Sequence, residues 1–304
     1  MRTARHESQP SAAAPVAANP YPAMRPPPAP GARNLVIVVL DSLRFDTCIE
    51  ARPSVMASLG EIERRYSYAT WTAPSHYNLL MGLLPHRNEA GVLAAATYRA
   101  DYDRYSQRLG VEGLSMASLL PHLFLPTLLR ERLGYVTNAY VSMPVLNPYS
   151  LLNRDFDRYE LMPNHHDLPG MIEALHFSPD RPNFHLLNVG ETHYPYSFEG
   201  DDGSDLPHIS GLHGAVRSVS EESAVDSAVP FSAAELAELR DRQVRSVRYV
   251  DTLLEHLLDV VPRNTSIIVM SDHGELFGED GFFGHGPMVH PLLLEVPYVE
   301  GYRD

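Results

Sequence analysis

Four side chains from three separate stretches carry the groups needed to hold a divalent cation against a nucleophilic oxygen: Asp41, Thr72, Asp272 and His273. Two carboxylates, a hydroxyl and an imidazole form an O,O,O,N donor set suited first to Zn²⁺ or Mn²⁺, with Ca²⁺ or Mg²⁺ as lesser alternatives. A cation on the Thr72 oxygen would favour the alkoxide, which a free threonine hardly forms at neutral pH. Thr72 opens the run Thr72-Ala-Pro-Ser-His76, with Pro74 at a helix start and Gly82 about two turns on. That pattern sets the hydroxyl at the positive end of a short helix, where an anionic ester is attracted. A threonine before a helix is most often only an N-cap, so the chemistry rests on the constellation.

Those residues need strands to deliver them. Asp41 ends the apolar, β-branched run Asn34-Leu-Val-Ile-Val-Val-Leu40, the pattern of a strand buried on both faces of a parallel sheet. Asp272 and His273 follow the similar run Thr265-Ser-Ile-Ile-Val-Met270. A charged residue directly after such a strand emerges at its carboxyl end, where open α/β sheets place their ligands. Val136–Val141 and Asn183–Val189 read as further strands, separated by helical stretches such as Leu168–His176. The alternation predicts an α/β fold: a three-layer sandwich with a mainly parallel central sheet and helices on both faces.

The clearest helix starts at Ser232, with Glu235 completing a capping box and Pro262 ending the element. Leu236, Leu239, Val247, Val250, Leu254, Leu257 and Val261 form its apolar stripe. Residues 199–231, rich in Gly, Ser, Asp and Glu, read as a surface insertion that either serves as a lid or has no role. Residues 1–33, rich in Ala and Pro without a continuous apolar segment, read as a disordered tail, and residues 34–304 as the catalytic domain. No apolar run is long enough for a membrane span. The net charge of −14 argues against a nucleic-acid partner. There is no lysine, which excludes a lysine base or Schiff base, and the single cysteine, Cys48, reads as an apolar filler. One cysteine without a disulfide partner and the lack of a leader point to the cytoplasm.

The run Asn34 to Asp46, the block Thr72-Ala-Pro-Ser-His76 with Gly82 and Pro85, and Ser271-Asp-His-Gly-Glu275 resemble, in order, the signature blocks of the alkaline phosphatase/sulfatase superfamily. Glu191-Thr-His-Tyr-Pro-Tyr196 is similar to the His-x-Pro-Tyr/His stretch of sulfatases and lipoteichoic-acid-synthase-like enzymes, and the Tyr249-Val-Asp251 helix also looks like theirs. The resemblance spans about residues 34 to 300. It implies an alkaline-phosphatase-like fold. Because the sequence ends soon after Val296-Pro-Tyr-Val299, which looks like the family's last core strand, it also implies a chain lacking the C-terminal sulfatase subdomain.

Sulfatases carry Cys or Ser at the nucleophile for conversion to formylglycine, in a Cys/Ser-x-Pro-x-Arg context. Here Thr72 stands at that position and His76 replaces the Arg. The match is closer to the phosphodiesterases and phosphotransferases of the superfamily, which use threonine. The resemblance further implies that His193 and His285 touch the anion or, with Glu191, form an optional second metal site beside one firm one. Arg44, Ser75, His76 and Asn78 are candidates for contacting the ester, and Glu275 for orienting a ligand histidine. The leading expectation is a metal-dependent hydrolase or transferase acting on a small phosphoester through Thr72. Transfer or cleavage of a sulfate, sulfamate or phosphonate without formylglycine is a second reading, and a catalytically retired anion binder a third. Oligomeric state leaves no mark in the sequence.

Overall fold

The computed structural model describes residues 25–88, 94–119, 124–201, 203–206 and 231–304. Seven of its strands are β1 (Asn34–Leu40), β2 (Glu63–Tyr66), β3 (Val136–Val141), β4 (Arg158–Leu161), β5 (Asn183–Val189), β6 (Thr265–Ser271) and, at the far end of the chain, β9 (Glu295–Arg303). They form one sheet in the order β2-β9-β6-β1-β5-β3-β4. The five from β6 to β4 run parallel, while β9 is antiparallel to β6 and to β2. A short hairpin lies apart, made of β7 (Leu276–Phe277) and β8 (Phe283–Gly284).

Alternation along β1 divides the core. Leu35, Ile37 and Val39 face one side, where they meet Leu79 and Leu80 of the Thr72–Leu80 helix and Leu125, Leu128 and Leu129 of the Leu125–Leu133 helix. Val36, Val38 and Leu40 face the other side and pack on Val244, Val247, Val250, Leu254 and Leu257 of the long helix Ala233–Val260. Each fully buried Val or Leu contributes about 1.5–3 kcal/mol relative to an exposed one. This is the three-layer arrangement the sequence predicts.

The long helix carries both halves of the expected capping box: Ser232 Oγ accepts from Glu235 N at 3.3 Å, and Ser232 N donates to Glu235 Oε2 at 2.7 Å. Of the predicted stripe, Leu236 is half-buried and the other six positions are buried. Asp251 on this helix accepts the backbone N–H groups of Val55 and Met56 at 3.0 and 2.9 Å, capping the Ser54–Leu59 helix from outside. Cys48 is fully buried among apolar neighbours, and burial pushes its thiol up to about 12.

The tail expected over residues 1–33 lies outside the described residues up to position 24. Residues 25–33 run along the body, where Ala29 N donates to Leu133 O at 3.3 Å and Arg33 N to Leu109 O at 2.8 Å. Most of the expected insertion, positions 202 and 207–230, also lies outside the described residues; at its described end, Asp201 holds Arg242 of the long helix at 2.6 Å.

Candidate metal centre and nucleophile

The three central strands deliver the site from one edge. β1 ends at Leu40 and presents Asp41, β6 ends at Ser271 and presents Asp272 and His273, and β5 ends at Val189 ahead of the turn that carries His193. All of these side chains are buried. Asp41, Asp272 and His273 each offer a ligand atom within 4.8 Å of the others, and they are the cluster of three or more such groups found among the described residues.

The nucleophile candidate joins them. Thr72 is the first residue of its helix, and its Oγ1 lies 3.3 Å from Asp41 Oδ1 and 3.2 Å from His273 Nε2. The hydroxyl is therefore turned to the cluster and does not cap its own helix. His273 Nδ1 donates to Gly274 O at 2.8 Å, which fixes the tautomer and leaves Nε2 as a lone pair toward Thr72. Burial, helped by His285, pushes the His273 pKa well below its ordinary value, so the ring is a neutral ligand at physiological pH.

The carboxylates are held in part. Asp41 Oδ2 accepts from Asn188 Nδ2 at 2.8 Å. Asp272 Oδ1 accepts from Ser42 N at 3.1 Å and His273 N at 3.0 Å, whereas its Oδ2 is buried without a hydrogen-bond partner, 3.5 Å from His273 Nε2. Burial raises both acids, and for Asp272 the neighbouring Asp41 charge adds to the rise. An orphaned carboxylate oxygen facing a second carboxylate and an imidazole lone pair fits a divalent cation.

Two further histidines lie against this cluster. The His285 ring is 4.4 Å from that of His273 and 5.1 Å from that of His193. His285 Nδ1 stands 3.1 Å from Glu275 Oε1, and the other Glu275 oxygen accepts the Tyr196 hydroxyl. His193 Nδ1 donates to Tyr194 O at 2.7 Å.

The family model described as Sulfatase matches residues 33–299. The chain belongs to the sulfatase family. Solved structures similar to it include the periplasmic domain of EptC from Escherichia coli in complex with Zn, with a TM-score of 0.53, 13% identity, and coverage of 92% of this chain and 77% of that one. The soluble domain of lipooligosaccharide phosphoethanolamine transferase A from Neisseria meningitidis matches with a TM-score of 0.53 and 15% identity over 92% of this chain and 79% of that one. The integral membrane form of that transferase matches with a TM-score of 0.50 and 14% identity; the chain covers 49% of its length, and 92% of this chain is matched. A comparison with curated proteins finds no match. The fold is thus that of the alkaline phosphatase superfamily, a group of hydrolases and transferases.

The expectation of a cytoplasmic protein is corrected here, because the similar structures are a periplasmic domain and a membrane-anchored transferase. A lone buried cysteine is compatible with either compartment, and the finding that no described helix is long and apolar enough to cross a membrane says nothing of location.

Within this sulfatase-family site, three side chains expected to touch the ester, Arg44, Ser75 and Asn78, are committed elsewhere. Arg44 places Nε and one terminal nitrogen 2.8 Å from the two Asp46 carboxylate oxygens, and its other terminal nitrogen 2.5 Å from Glu279 Oε1 and 3.3 Å from the Glu275 carbonyl. It is a clamp on the segment that carries Glu275. Ser75 Oγ donates to Ala69 O at 3.4 Å, and Asn78 Nδ2 to Pro74 O at 2.9 Å, so both secure the backbone around the helix. His76 stays beside the cluster: its Nδ1 donates to Thr72 O at 2.8 Å and stands 3.7 Å from Asp272 Oδ2, while its Nε2 is buried without a hydrogen-bond partner. Glu191 also leaves the expected second metal set: its Oε1 accepts from Leu168 N at 2.8 Å at the start of the Leu168–Ala174 helix, and it forms no metal cluster with His193 and His285.

Two supporting residues went unread in the sequence. Asn188 bridges β5 to Asp41 while its Oδ1 accepts from Ser142 N and Met143 N at 3.2 and 3.1 Å. Gln243, fully buried on the long helix, donates to Ser42 O at 3.0 Å and Thr192 O at 3.2 Å, tying together the turns after β1 and β5. The signal for Asn188 is an amide inside an apolar strand run, and for Gln243 an amide on the buried face of its helix, four residues after Leu239 and four before Val247.

Proposed function

We propose that the protein is a metal-dependent hydrolase or transferase of phosphoesters with Thr72 as nucleophile. The observation that carries the reading is the placement of Thr72 Oγ1, at a helix N-terminus, 3.3 Å from Asp41 and 3.2 Å from His273. Asp41, Asp272, His273 and Thr72 would hold the cation. Zn²⁺ is favoured by the donor set and by the Zn complex of the similar Escherichia coli domain. When bound, it supplies Lewis acidity that stabilises negative charge on the reacting oxygens.

The chain's own residues account for the rest. The helix N-terminus draws the anionic ester toward Thr72. Thr72 Oγ attacks phosphorus, the bond to the leaving oxygen breaks, and a phospho-threonine results. His285, with Nδ1 3.1 Å from the buried Glu275 carboxylate that orients its ring, is placed to carry a proton to the leaving oxygen. His193, its pKa lowered to about 4 by burial and by His285, stays neutral and orients, through a hydrogen bond, the water or alcohol that attacks phosphorus in the second step and frees Thr72.

A sulfate ester is the second reading, favoured by the family match. Threonine cannot become formylglycine, which weighs toward phosphorus. Parallel assays of an aryl sulfate, a phosphomonoester and an activated phosphodiester separate the two. Thr72→Ala is expected to lower turnover of the preferred ester by about a thousandfold or more, with zinc-dependent turnover partly kept in Thr72→Ser. Undiminished turnover by Thr72→Ala sinks the reading.

A further inference from the structure

An anionic ester at Thr72 needs a donor for its non-bridging oxygens as well as a nucleophile. No lysine exists to supply one, and the Arg44 fork is occupied by Asp46, Glu279 and the Glu275 carbonyl. The topology brings one more histidine to this edge. β4 runs parallel to β3, so the chain leaving it at Leu161 emerges on the same side of the sheet as Asp41 and Asp272.

Residues 162–167 then form a strap fixed at both ends. Met162 N donates to Val141 O at 2.8 Å, and Asp167 caps the next helix through Gly170 N at 3.1 Å. Between these anchors the His165 carbonyl presses on Gly190, where a Cβ would stand 2.0 Å from the His165 oxygen, so only glycine permits the contact. Gly190 begins the turn that carries His193 and also Thr192, whose hydroxyl donates to Asp41 O at 2.9 Å. The strap is therefore seated on the turn that lines the site. Half-buried, the His165 imidazole lies within electrostatic reach of both Asp41 and His193.

We propose that His165 is a substrate-binding residue of this site, donating a ring N–H to a non-bridging oxygen of the anion. The identity of that anion as a phosphoester rests on the reading above; the anion contact does not. In the zinc-loaded protein, His165→Gln is expected to raise KM for an activated phosphodiester about tenfold or more and to weaken inorganic phosphate binding by a similar factor, with the loss mainly outside kcat. Zinc content and thermal midpoint should stay at wild-type values, and His165→Arg should recover phosphate affinity.

Calorimetry with phosphate reads the contact without turnover. If the wild-type protein cleaves no phosphoester yet loses phosphate affinity in His165→Gln, the contact stands and only the substrate reading falls. Unchanged phosphate affinity and KM in His165→Gln overturn the proposal. So does an equal loss in His165→Gln and His165→Arg with a lowered midpoint, which assigns the residue to packing.

Discussion

Two buried clusters of charge lie in this molecule, and they are built in opposite ways. Beneath β9, Arg108 is almost wholly buried, yet it reaches Asp101 at 3.2 Å, Glu300 at 3.1 Å and the Tyr298 hydroxyl at 3.2 Å. Burial works against the Arg108 charge, but Tyr298 and Asp101 outweigh it and raise its pKa. At the carboxyl edge of the sheet, Asp41 and Asp272 are just as deep, and burial raises the pKa of each, with no guanidinium among the described residues paired to either. The first cluster is neutralised from within the chain. The second calls for positive charge from outside, since two uncompensated buried carboxylates cost several kcal/mol.

The largest expected effect is on the second cluster. A tightly bound cation present at about a thousand times its Kd stabilises the folded state by about 4 kcal/mol. Chelation should therefore lower the thermal midpoint by about 10 °C in a chain of this size. Asp272→Asn should abolish the response while leaving the metal-free protein as stable as wild type or more so, because the orphaned carboxylate is gone. A midpoint indifferent to both zinc and chelator would break the comparison.

Arg108→Met tests the first cluster. Leaving Asp101 without its guanidinium partner, while Glu300 keeps Arg104, should cost about 3 kcal/mol, read as a shifted urea midpoint at unchanged slope. Zinc should not restore that loss, whereas it does stabilise the strand-end site. Rescue by zinc would mean that the two clusters are one electrostatic system.

How far the sequence foretold this arrangement follows from where each residue gets its partners. Asp41, Asp272 and His273 were legible because an apolar β-branched run that halts at an acid has one address, the carboxyl end of a buried strand. Thr72 was legible through Pro74 and Gly82, and the long helix through its capping box. Arg44, Ser75 and Asn78, expected at the ester, instead meet an Asp two residues on, a carbonyl six residues back and a carbonyl four residues back. Proximity to a catalytic residue along the chain looks the same whether a polar group faces substrate or its own backbone. Glu63-Arg-Arg-Tyr66 and Arg158-Tyr-Glu-Leu161 passed unnoticed as strands because each forms an edge of the sheet, where polar side chains are tolerated. Asn188 and Gln243 were hidden for the opposite reason, as single amides inside buried elements read for their apolar pattern.

A third buried acid sharpens the contrast with a smaller effect. Glu191 belongs to neither cluster: one oxygen accepts from Leu168 N, the other is buried without a hydrogen-bond partner, and burial raises its pKa from 4.5 to about 7. A raised carboxyl means that, between those two values, the folded protein keeps a proton that the unfolded chain has released. The associated stability is complete below the unfolded pKa and is lost as pH rises through about 7. Glu191→Gln keeps the acceptor for Leu168 N and removes the ionisation. It should match wild type near pH 5 and exceed it by about 1–3 kcal/mol near pH 8 in urea unfolding. Parallel curves for the two proteins across that range would mean that Glu191 meets a positive charge after all, and that the chain neutralises this acid from within as it does Asp101 and Glu300.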